Sequence, residues 1–156
     1  MGTDRIQVTV TAATGIQHGL TAYERAFAAA LDQARTCLNR AQAEFQMAVV
    51  KSQQQLREAE RVVEMARATL GRCTENCQPL VEALRRCQAA EVMAKMRLES
   101  NRAARAQYER AASDLSGSLR TIEASTKANL SAARQNLLAY AEDLSRYLRT
   151  PTGGDH

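Results

Sequence analysis

Tryptophan is absent from this 156-residue chain, and aromatic residues make up only 4% of it. Large rings supply much of the apolar area of a globular core, so a thick core is excluded and packing must be thin. No segment approaches the roughly 18 apolar residues that span a bilayer. The longest small-apolar run is Ala26–Leu31. Histidine is scarce too: His18 falls in a glycine-containing stretch and His156 in the tail, which suits surface residues better than a general base. There is no phosphate-cradling glycine loop and no metal-binding His/Glu helix pair, and the hydroxyls of Ser113–Ser118 have no partnering base. These absences argue against an enzyme, and no catalytic, cofactor-binding or metal residue is assigned. The opening Met-Gly-Thr-Asp-Arg has no apolar core of a secretory signal. Ile6 stands where a myristoylation motif needs Ser or Thr. The expected address is cytoplasmic, with signal-less export left open.

What is present is helix. Alanine, arginine, glutamine and glutamate, all strong helix formers, dominate. Leu31, Ala34, Leu38, Ala41, Phe45 and Ala48 alternate in steps of three and four, and no proline interrupts them. The stripe then slides one position to Val49, Ser52, Leu56, Ala59, Val63, Ala66 and Leu70. A helix of 3.6 residues per turn drifts in this way against a strict seven-residue repeat. After Pro79 a second stripe follows through Leu80, Leu84, Cys87, Ala94, Leu98, Tyr108, Ala112 and Leu115, interrupted by Glu91, Asn101 and Arg105. Leu119, Ile122, Thr126, Leu130, Ala133, Leu137, Tyr140, Leu144 and Tyr147 continue it. Sustained three-four alternation holds one helix face against a partner. The expected fold is therefore all-α: an elongated antiparallel hairpin or coiled-coil bundle of two or three long helices, with a short extended N-terminal arm.

The expected organisation begins with an arm and loop over residues 1–20, where Ile6, Val8 and Val10 alternate as one short strand. Thr21 and Glu24 fit a capping box that starts a helix over 22–70, with Gly71 as a left-handed stop. A turn over 71–78 leads to a helix over 79–113, which Pro79 suits as a first-turn residue. Residues 114–118, containing Gly117, read as a hinge or break before a third helix over 119–149. A disordered tail at 151–156 follows. About the turn, Phe45 should face Ala104 and Tyr108 should face Ala41, large against small.

The net charge is +4, and the excess sits mainly in Pro79–Ser113, with seven basic residues against four glutamates. Arg85, Arg86, Arg97, Arg102, Arg105 and Arg110 are candidate contacts for an anionic partner, nucleic acid or lipid. The plainer reading is a solvated face of intrahelical ion pairs, such as Glu91 with Lys95. Val92, Met93 and Met96 offer either core packing or an adaptable apolar contact surface. They join Ile6, Val8 and Val10 as candidate partner-binding residues. For Cys37, Cys73, Cys77 and Cys87 the plainest expectation is reduced, ordinary thiols. A Cys73–Cys77 or Cys73–Cys87 disulfide is the alternative, and a metal site lacks a fourth ligand.

The outline is similar to the small helical substrates of type VII export. Their Trp-x-Gly turn is replaced here by Cys73–Pro79, so the likeness stops at the outline. The expected function is non-enzymatic protein–protein interaction: a coiled-coil adaptor, scaffold or assembly subunit that packs helices with partners or with itself. A secretion-associated helical partner or chaperone of an effector is the alternative, and an anionic-surface binder the second. No cofactor or small-molecule substrate is expected.

Overall fold

A computed structural model describes the backbone of residues 2–149 and the side chains of residues 11–147. The expected tail at 151–156 lies outside the described residues. Two long helices, α1 over Gly2–Gly71 and α2 over Gln78–Arg149, pack against each other, and no strand occurs among the described residues.

Three expectations are corrected by this continuity. The strand over Ile6–Val10 and the loop before Thr21 are both helix. A lone strand leaves its backbone groups without partners, whereas a helix satisfies them internally. Gly15 and Gly19 cost the helix only about 1 kcal/mol each relative to alanine. Thr21 is therefore no N-cap: its hydroxyl donates to the Gln17 carbonyl at 3.0 Å, one turn back. Likewise residues 114–118 are helical and do not break α2, so the expected second and third helices are one. Thr121 Oγ1 donates to the Gly117 carbonyl at 3.2 Å across this stretch.

The connection is tight. Cys73 N–H bonds the Leu70 carbonyl at 3.0 Å, and Val81 N–H bonds the Cys77 carbonyl at 3.0 Å. Gly71 is not left-handed, which corrects its expected role as the stop of α1; the left-handed residue of the connection is Asn76, with φ 48°. Asparagine tolerates this region better than most side chains. Pro79, which has no N–H to offer, occupies the first turn of α2, where none is required.

The chain divides into two compact units. One comprises Thr36–Leu115. In it Leu38 meets Tyr108 and Ser52 meets Asn101, so the two helices run antiparallel. Its buried apolar residues are Val49, Val63 and Leu98. The whole α1 stripe from Leu38 to Leu70 is buried or half-buried, as the three-four spacing requires. Phe45 and Tyr108, each expected to face an alanine, also meet each other: their rings stack with centroids 4.9 Å apart. Two flat rings fill the gap that alanines on both helices leave, and the Tyr108 hydroxyl finds the Leu38 carbonyl.

The other unit joins the chain up to Arg35 with the chain from Ser116. Among its described side chains the buried apolar residues are Leu31 and Leu130. Arg35 pairs with Glu123 and Glu24 with Arg134, again an antiparallel pairing. Leu115, Ile122, Tyr140 and Tyr147, expected on the stripe, are exposed. Beyond Ala112 the seam slides one position, to Ser116, Leu119, Glu123, Thr126 and Leu130.

Candidate interaction surface

The seam of the unit Thr36–Leu115 is polar at its centre. Ser52 is only 4% exposed. It donates to the Ala48 carbonyl at 2.9 Å and accepts from Asn101 Nδ2 at 2.6 Å. Glu91, Asn101 and Arg105 do not interrupt the α2 stripe; they belong to it, and all three are half-buried. Their three- and four-residue steps from Ala94, Leu98 and Tyr108 were the signal for this. Polar seam groups of this kind fix which residues face each other, because any shift leaves them without partners.

Val92, Met93 and Met96 lie on the opposite side of α2. They are 55%, 54% and 58% exposed, which removes core packing as their role. Spacings of three and four put them side by side in one apolar patch. The backbone of Ile6, Val8 and Val10 lies within α1, and their side chains are outside the described ones.

The candidate arginines are not gathered. At about 100° per residue, Arg85, Arg86, Arg97, Arg102, Arg105 and Arg110 are spread around α2. Arg105 donates to Glu109 at 2.7 Å, and Arg86 lies 3.8 Å from Glu82. Lys95 donates to Glu91, and this bond, with the charge of Glu91 and then of Glu60, raises its pKa. Such pairs consume positive charge locally instead of presenting a stripe to phosphates.

The unit containing Ser116 onward holds a charge cluster that the spacing alone did not reveal. Glu123 accepts from Lys127 at 2.8 Å and from Arg35 at 2.6 Å. The hydrogen bond from Lys127, then that from Arg35, holds its carboxyl below the usual carboxylate range. Glu123 stands on the seam beside Leu130, where Ile122 was expected. Continuing the four-residue step from Ala112 to Ser116 leads to it. A recess of about 160 Å³ lies there between Phe27, Leu31, Arg35 and Glu123. Ligand sites normally measure about 300–1,000 Å³, so it is too small to enclose a substrate.

Cys73 and Cys77 form a disulfide across the connection, with Cα atoms 5.9 Å apart, which corrects the expectation of reduced thiols at this pair. The left-handed turn at Asn76 folds the segment back far enough for the two residues to meet. Cys37 and Cys87 are free. Among the described residues no group of three or more His, Cys, Asp or Glu side chains is placed to hold a metal ion. No described helix is long and apolar enough to cross a membrane. Comparison with protein-family models, curated proteins and solved structures finds no match.

Proposed function

We propose that the chain is a non-enzymatic helical interaction protein: a coiled-coil adaptor, scaffold or assembly subunit that packs helix faces against partners or against itself. One observation carries this reading. Each unit is a pair of helix segments, yet large apolar side chains, notably Val92, Met93 and Met96, remain exposed on the side away from the seam. Two helices bury one stripe each, and the remaining apolar surface gains free energy only when another molecule covers it. The polar Ser52–Asn101 contact supports the same reading, since it selects one alignment at a cost in apolar burial.

In-cell cross-linking of the full chain, followed by reconstitution with purified partners, tests the proposal. A stoichiometric complex or a defined oligomer formed through helix faces is expected. A strictly monomeric chain that turns over a small molecule would overturn it.

The Cys73–Cys77 disulfide favours a second reading, an exported helical partner or effector chaperone, because disulfides persist in oxidising compartments. Thiol alkylation in the native cell separates the two. Two reactive thiols, Cys37 and Cys87, fit export; four fit a reducing cytoplasm.

A further inference from the structure

At the connection two helix ends of opposite polarity meet, each beside one sulfur of the Cys73–Cys77 bridge. Cys73 follows the last turn of α1, its N–H bonded to the Leu70 carbonyl at 3.0 Å. Cys77 is the N-cap of α2, its carbonyl accepting the Val81 N–H at 3.0 Å. The carboxyl end of a helix carries partial negative charge and the amino end partial positive charge. Neither adjoining turn offsets this: the last turn of α1 holds no basic residue and the first turn of α2 no acidic one. Arg72 and Glu75, the charges of the connection itself, are exposed and opposite in sign. With the bridge open, the two sulfurs are therefore unequal. The amino end of α2 favours a thiolate on Cys77, and the carboxyl end of α1 disfavours one on Cys73.

The bridge is also within reach of a second thiol. Thr74, Glu75, Asn76 and Gln78 are exposed around it, and both cysteines are only half-buried. The buried residues of this unit, Val49, Ser52, Val63 and Leu98, all lie elsewhere along the helices. Opening the bridge therefore frees the connection without undoing the seam.

We infer that Cys73 and Cys77 form a reversible thiol–disulfide exchange site for low-molecular-weight thiols and disulfides of the glutathione class, with Cys77 as the entering nucleophile. In the reduced chain the Cys77 thiolate attacks one sulfur of a small disulfide, forming a mixed disulfide and releasing one small thiolate. Cys73 then gives its proton to water and attacks Cys77 Sγ; the internal bridge forms and the second small thiolate leaves. One small disulfide is reduced to two thiols while the protein dithiol is oxidised, a two-electron exchange that excess thiol reverses. This site goes beyond the helical-interaction reading and depends neither on the compartment nor on what the helix faces bind.

The test takes the full chain, reduced and freed of reductant, and adds oxidised glutathione without air. Acid quenching, alkylation and peptide mass spectrometry then follow each cysteine. C73S cannot complete the bridge, so glutathione should accumulate on Cys77, and at least about threefold faster than on Cys37, an exposed thiol within α1. That factor is what remains when a tenfold gain in thiolate is set against the lower nucleophilicity of a more stable thiolate. In C77S, Cys73 should react no faster than Cys37. In the wild-type chain the internal bridge should form, and excess reduced glutathione should reopen it while circular dichroism keeps the helical signal. Equal rates at Cys77 and Cys37, or Cys73 reacting as fast as Cys77, overturn the assignment of the nucleophile. A wild-type bridge that resists excess reduced glutathione until urea unfolds the chain overturns the exchange site itself, with no variant needed.

Discussion

A buried serine costs stability unless its hydroxyl has partners, and Ser52 has two, the Ala48 carbonyl and Asn101. Removing the hydroxyl leaves the Asn101 amide without its acceptor inside the seam. S52A should therefore lower unfolding free energy by about 1–2 kcal/mol. Replacing both groups with apolar side chains, S52A with N101L, should recover most of that loss, because no polar atom is then stranded. Urea denaturation of the two variants checks this; equal stability of S52A and wild type would remove the argument. Glu123 makes a second residue-scale case. Its carboxyl is depressed in the folded chain, so it takes up its proton at lower pH there than when unfolded. The stability it contributes is present above the ordinary glutamate pKa and is lost as pH falls through its folded value. E123Q should show a melting temperature that falls less steeply than wild type on acidification from neutral to about pH 3, with the two curves converging at the acid end. Parallel curves would show that the Arg35 and Lys127 contacts contribute nothing to folding.

At the scale of the element, continuity is the main finding. α2 passes through Ser113–Ser118 without a break although that segment has the composition of a loop. Local propensity disfavours helix there by about 1 kcal/mol at the glycine, and seam burial on both sides at Ala112 and Leu119 outweighs it. Gly117 is not left-handed, and an added Cβ would meet nothing within 4 Å. G117A should accordingly raise stability by about 0.5–1 kcal/mol with unchanged helicity. Thermal and urea unfolding test it, and a loss of stability would show that the glycine serves a need other than helix continuity. The Cys73–Cys77 bridge acts on the connection in the complementary sense, closing a short loop between the end of α1 and the start of α2.

At the scale of the whole molecule, the described side chains include only five buried apolar residues, Leu31, Val49, Val63, Leu98 and Leu130. Stability therefore comes from many half-buried contacts repeated along the helices, and the proposed self-association would add to it by mass action. The apparent melting temperature should rise with protein concentration for wild type and stay constant for M93E. A concentration-independent melt for both would leave self-association without thermodynamic weight.

The residue order alone determined that the chain is helical and which side of α1 is covered, because three-four spacing translates directly into one face of a helix. It also carried Glu91, Asn101 and Arg105 in phase with the α2 seam, although charge and amide made them look like interruptions. Local pattern misjudged Ile6–Val10, Gly71 and Ser113–Ser118, where short-range preferences of about 1 kcal/mol or less per residue compete with cooperative helix and packing over tens of residues. Only the tertiary structure decided that Phe45 stacks on Tyr108, that Glu123 takes the place expected of Ile122, that Cys73 meets Cys77, and that Val92, Met93 and Met96 face outward. Each depends on the alignment of one helix against another, which is set by contacts between distant residues and by the steric fit of particular side chains, quantities that spacing along a single helix does not contain.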